Sequence, residues 1–203
     1  MMPPLLTARR RAVMASGLPR DYQRVAWVGP NTVDKIVYID TGFVPNQDTR
    51  VVTAATRTIN STYATMYGTE SPRFSYLKAR VDYNTMQKFT VPAVGLDTLT
   101  VVDHDKNYIT INGTTYGPIA DYAEFTCSGP LYLWTLNGYT QTTVQYCGQM
   151  YYCKIYDNGT LARDLVPCYR REDGAIGFYD RVEREFLSPP SNGEYMAKGE
   201  DVL

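Results

Sequence analysis

The sequence predicts an all-β fold of two antiparallel sheets, a β-sandwich or jelly roll, preceded by a short N-terminal helical arm. Three observations carry this. The 203 residues include 18 Tyr, 12 Pro and 15 Gly, alongside abundant Thr, a composition suited to strands and turns rather than helices. Short apolar or alternating segments recur with turn residues between them and no helical pattern separating them. One Asn-Gly pair, Asn158-Gly159, lies between two alternating segments, the strongest hairpin signal in the chain.

The elements follow in order. IVYID (36–40) stops at Thr41-Gly42, and Pro45 to Asp48 make the next turn. TRVVTAATRTI (49–59) alternates and is rich in β-branched residues, and STYATMYG (61–68) can pair with it. FSYLKARVDY (74–83) reads as one strand after Ser71-Pro72. LTVVD (99–103) and YITING (108–113) are separated by HDKN, read as a hairpin tip. AEFTC (123–127), LYLWTL (131–136) and GQMYYCKIYD (148–157) come next. TLARDLVPC (160–168) is the return strand of the Asn-Gly hairpin, and AIGFYDRV (175–182) ends the sheet region. The chain divides into a basic arm, 1–20, and a sandwich, 21–203.

The arm holds Arg9, Arg10, Arg11 and Arg20 and no acid. Thr7 can cap a helix of two to three turns, and Gly17 can end it. A helix this short is marginal in water, so its order implies packing against a partner. Leu5, Leu6, Val13 and Met14 supply the apolar contact and Arg9, Arg10 and Arg11 the charged one. Only AVMA follows the arginines, too short for the apolar core of a secretory signal.

Charge excludes other classes. Lys+Arg is 20 and Asp+Glu is 21, so the chain lacks the basic excess of a general nucleic-acid binder. No run of 18 apolar residues exists to span a membrane. His104 is the sole histidine, which removes multi-histidine metal sites. Cys127, Cys147, Cys153 and Cys168 contain no CxxC pair, and their expected state is the free thiol.

Each chemical motif has a plainer reading. Asp103, Asp105 and Asn107 alternate like calcium ligands, but Tyr108 replaces the required Gly and Thr114 the closing Glu. His104, on the same tip, is expected at the surface, with too little burial to tune it for catalysis. Glu183 and Glu185 alternate like a glycosidase pair but sit among Arg181 and Arg184, and the expected carboxylate triad is missing. Asn60, Asn112 and Asn158 open glycosylation triplets, which matter only in a secretory route. No catalytic residue, metal or cofactor is expected. Aromatics cluster mid-chain, from Tyr116 through Tyr146 to Tyr151 and Tyr152. Tyr132, Trp134 and Tyr139 are singled out as exposed rings for stacking on a sugar.

The stretch YCKIYDNGTLARDLVPCYRR (152–171), continued by EDGAIGFYD (172–180), resembles the KIYDNGTLxRDxxPC…GxYD block of concanavalin A-like, laminin-G-like jelly-roll domains. Those domains occur in gut bacterial and phage structural proteins. LPRDYQRV (18–25) and YIDTG (38–42) are similar to the family's opening, while Trp27 to Ile36 depart from it. The resemblance implies a two-sheet jelly roll and an accessory, adhesive or virion role, with no catalytic set to carry over. Lys154, Asp157 and Arg163 then read as structural residues of the hairpin. The expectation is a non-enzymatic phage virion protein: a capsid-surface decoration, head fibre or tail module. Its partners would be other virion proteins, or its own copies through the arm, and host or mucosal glycans. The alternatives are a laminarinase-like glycosidase and a bacterial surface carbohydrate-binding module.

Overall fold

The computed structural model describes residues 17–60, 63–84, 89–138 and 140–202. The helix expected over residues 5–16 lies outside them. Among the described residues there is no α-helix, only two 3-10 turns, Thr142–Val144 and Gly193–Tyr195. No helix there is long and apolar enough to cross a membrane.

The first half of the chain contributes β1 (Tyr22–Arg24), β2 (Val28–Pro30), β3 (Ile39–Asp40), β4 (Thr49–Arg57), β5 (Thr65–Thr69), β6 (Phe74–Leu77), β7 (Arg80–Asp82) and β8 (Phe89–Thr90). The second half contributes β9 (Leu99–Asp105), β10 (Tyr108–Ile111), β11 (Thr114–Tyr116), β12 (Tyr132–Leu133), β13 (Gly148–Asp157), β14 (Thr160–Arg170), β15 (Ile176–Asp180), β16 (Glu185–Leu187) and β17 (Met196–Lys198). They form two antiparallel sheets. The large one has 11 strands along the path β11-β10-β9-β4-β13-β14-β15-β16, with β1 on β14 and β2 joining β13 to β17. The small one has six, in the order β3-β12-β5-β6-β7-β8.

Alternation decides which residues lie between the sheets. Val51, Val102, Cys153, Ile155 and Phe178 of the large sheet share one buried cluster with Met66, Phe74, Tyr76, Val81 and Leu133 of the small one. Trp134 and Phe178 meet across the interface, with ring centroids 5.7 Å apart. A second, smaller cluster lies on the outer side of the large sheet. There the fully buried Leu18 packs with Val166, Cys168 and Tyr179. Leu18 lies within the 1–20 arm, yet it belongs to the folded body.

The Asn158-Gly159 turn has positive φ at both residues, 45° and 79°, and joins Asp157 directly to Thr160. A second Asn-Gly pair makes a second hairpin of the same kind. Asn112 and Gly113, at φ 48° and 84°, turn β10 into β11. By sequence that pair reads as the end of the YITING strand and as part of a glycosylation triplet, not as a turn. At Gly29 the need is space: a Cβ would stand 1.7 Å from the Gly148 carbonyl oxygen, so β2 can cross β13 only without a side chain there.

Several expected strands differ. The segment 36–40 gives only β3, and β5, from the segment 61–68, pairs with β6 and β12 of the small sheet rather than with β4. The segment 74–83 folds into two, β6 and β7, with Leu77 opposite Arg80. Its turn, Lys78-Ala79, carries no Gly, Asn or Pro. It is held by remote backbone bonds from Lys78 N to the Ala64 carbonyl (2.9 Å) and from Val91 N to the Ala79 carbonyl (3.1 Å). The segment 123–127 makes a single bridge, Asn46 to Thr126. The 131–136 strand shrinks to β12 because Trp134 adopts φ 69°, outside strand geometry.

Candidate functional site

The aromatics singled out for sugar stacking do not form one site. Trp134 is fully buried between the sheets, so its expected role at the surface is corrected: it is a core residue. Tyr132 is half-buried in the small sheet and stacks on Tyr38, with centroids 4.3 Å apart at 15°. Burial raises its hydroxyl pKa to about 12. Tyr139 lies outside the described residues, as do Leu5, Leu6, Arg9, Arg10, Arg11, Val13 and Met14.

His104 is also corrected. The strand β9 runs two residues past its expected end at Asp103, into the expected tip, and Thr100, Val102 and His104 all point into the sandwich. His104 is fully buried, stacks on Phe74 at 4.3 Å and 4°, and lies 3.1 Å from the Tyr67 hydroxyl through Nδ1. Burial drops its pKa to about 3, opposed by the nearby Asp103. Both partners come from the small sheet, so the histidine is a polar pin between the layers. Asp103 faces the other way and is held by Arg50 through two bonds of 2.7 and 2.6 Å. Lys106 pairs with Asp48 at 2.9 Å. Among the described residues no group of His, Cys, Asp and Glu is arranged to hold a metal ion. The four cysteines are free and buried. Burial raises the thiol pKa of Cys127 to about 12 and of Cys147 to about 11.

The residues of the DNGT hairpin and the following block meet at a structural junction. Arg163 donates to the Thr41 carbonyl at 2.8 Å and to Glu183 at 2.8 Å, and lies 3.4 Å from Asp180. The buried Asp180 accepts from the backbone N–H groups of Asp164 (3.0 Å) and Val182 (2.9 Å). Asp157 accepts from Asn46 at 2.9 Å. This junction ties β14 and β15 to the loop leaving β3.

Lys154 differs from these two. Cys153 and Ile155 point into the core, so Tyr152, Lys154 and Tyr156 point out from the large sheet. With Tyr151 they line a groove of about 370 Å³. Its neighbours on β4 are Arg50 and Val52, and on β14 Asp164 and Val166. Arg24 and Arg181 close the side near the β1–β14 pair. The Arg50 guanidinium sits 5.5 Å from the Tyr156 ring centroid, and its pairing with Asp103 raises its pKa further. Arg181 grips Asp164 through contacts of 2.8 and 2.7 Å. Tyr152 is partly buried, which raises its hydroxyl pKa. The Tyr151 hydroxyl donates to Gln149 at 2.8 Å, fixing that ring at the bulge in β13.

On this surface several rings, fixed guanidinium forks and tyrosine hydroxyls converge. Flat faces for stacking sit beside directional donors, which is what a pyranose ring requires. The groove's carboxylate, Asp164, is engaged by Arg181, and Asp103 next to the groove by Arg50, so neither stands free as an acid or base. Tyr151 and Tyr152 were expected among the mid-chain aromatics and Lys154 as a structural residue of the hairpin; Tyr156 and Arg50 carried no expectation of a site. The signal was the parity of Cys153 and Ile155, which puts 152, 154 and 156 on the opposite face. Compared with known proteins, the chain matches no family model, no curated protein and no solved structure.

Proposed function

We propose that the protein is a non-enzymatic attachment module of a phage virion: a capsid-surface decoration, head fibre or tail component. In this reading the sandwich is a jelly roll of the concanavalin A-like kind, the basic arm docks on other virion proteins or on a second copy, and the sandwich binds host or mucosal glycans. The observation that carries the glycan reading is the groove over β4, β13 and β14, with Tyr152 and Tyr156 on either side of Lys154. The virion placement rests on the family resemblance and on the acid-free arm. The arginine-held carboxylates favour binding over hydrolysis.

A glycan array tests the reading. The wild-type chain is expected to retain at least one class of glycan and to leave β-glucans uncleaved. The Tyr152→Ala, Tyr156→Ala double variant should bind about tenfold more weakly, since each stacking contact contributes about 0.5–1.5 kcal/mol. Removing residues 1–16 should leave the sandwich folded and its glycan binding unchanged, because Leu18 remains, but abolish assembly. Retention of no glycan, or release of sugar from a β-glucan, would contradict the proposal.

A further inference from the structure

We infer that the groove is selective for acidic glycans, and that Lys154 is the residue that reads the acid; this rests on the glycan reading of the groove. The inference comes from how its charges are distributed. Four cations line the groove: Arg24, Arg50, Lys154 and Arg181. Two are neutralised in place. Arg50 makes a two-bond fork with Asp103, and Arg181 holds Asp164. These pairs are fixed elements of the groove wall.

Lys154 is left over. Its cross-strand neighbours are Val52 on β4 and Asp164 on β14. Asp164 is the acid that should neutralise it, but that carboxylate is turned to Arg181. Lys154 forms no ion pair with any described residue, although it is only half-exposed. Arg24, at the rim, also has no ion pair to a described residue. The groove therefore carries surplus positive charge on a chain whose net charge is −1.

Position adds to charge. Tyr152 and Tyr156 stand two residues to either side of Lys154, about 13 Å apart along the strand. A saccharide lying along β13 and stacking on both rings passes over the ammonium between them. A carboxylate or sulfate on that central sugar gains a charge-assisted bond, while a neutral hydroxyl gains an ordinary one. The occupant is thus a polysaccharide carrying uronate or sulfate groups. Single-stranded nucleic acid fits less well: two spare cations displace too few counterions to hold a polyphosphate. The arm is no better a tenant, since its own arginines repel the groove.

The test uses the full chain and three glycan probes, an oligogalacturonate, its carboxyl-reduced neutral counterpart and a sulfated oligosaccharide of similar length, with a single-stranded oligonucleotide as a polyanion control. Calorimetry is run at low and moderate salt. The acidic probes are expected to bind at least tenfold more tightly than the neutral one, with the margin shrinking as salt rises. The ratio between the uronate and the sulfated probe tells which acid is preferred. Lys154→Gln should abolish the margin by weakening the acidic probes at least tenfold more than the neutral one, and Lys154→Arg should keep most of it. If neutral and acidic probes bind equally, and Tyr152→Ala weakens both, the acid selectivity is wrong and the groove reading stands. If none of the three binds, the glycan reading itself fails. Equal binding of the sulfated probe and a single-stranded oligonucleotide would overturn the inference in favour of a general polyanion surface.

Discussion

Replacing Asp180 by alanine is expected to cost about 3–5 kcal/mol of folding stability, the range seen when one partner of a buried charged network is removed. The carboxylate is fully buried and accepts from two backbone N–H groups, those of Asp164 and Val182. Its loss leaves both donors unpaired and strips Arg163 of its buried counter-charge. Arg163 would keep the Thr41 carbonyl and the more exposed Glu183. Asp180→Asn retains an acceptor oxygen for the two N–H groups and removes only the charge, so it should cost about half as much. Urea unfolding of both variants measures this. Equal, small losses would mean that the junction contributes little. The aspartate closes the GFYD part of the block that resembles jelly-roll domains, so the test also asks whether that block is a structural signature.

The second large effect is acid sensitivity arising at His104. Its pKa is held at about 3 by burial, against an ordinary value near 6.5. Between these values the unfolded chain takes up a proton that the folded chain does not. Stability is therefore complete above pH 6.5 and falls as the pH drops towards 3. A shift of this size corresponds to about 4–5 kcal/mol at full extent. The groups around the ring are Tyr67 and Phe74 of the small sheet, Asp103 on its own strand and the Lys106 backbone at the turn; Asp103 and the Lys106 backbone favour the charged form, and burial outweighs both. The buried Asp82 works in the opposite sense, because burial raises its pKa. The contribution of His104 is isolated by comparing wild type with His104→Leu at pH 7.5, 5.5 and 4.0. The variant starts less stable but should lose much less on acidification. Parallel losses in the two proteins would show that the histidine is not the source.

These residues also mark how far the amino-acid pattern could be read. The β13–β14 hairpin was legible because a turn pair that tolerates positive φ lies between two alternating runs, so the turn and its first pairs follow; the bulge between Ile155 and Tyr156, which shifts the register so that Lys154 faces Asp164, has no such local signal. His104 was misplaced for a related reason. DHDKN resembles a loop by composition, yet the turn needs only Lys106 and Asn107, and the alternation from Thr100 carries the histidine inward. Trp134 stands in an apolar run, LYLWTL, with no alternation to say which side is buried, and its left-handed backbone is imposed by packing between the sheets. The β6–β7 turn has no local signal because distant backbone groups hold it. The groove was half visible. The parity of β13 was readable, but its meeting with Arg50 of β4 and Arg181 after β15 depends on sheet order, which alternation alone does not encode.

The most direct test of the account is to locate the bound glycan. The isotopically labelled full chain is titrated with the glycan that it binds best on the array, and amide chemical shifts are followed by NMR. The expected result is a contiguous set of perturbations at Arg50, Val52, Tyr152, Lys154 and Tyr156, across β4 and β13 on the outer face of the large sheet. Perturbations confined to the Tyr38–Tyr132 stack on the small sheet, with the groove residues unmoved, would contradict it.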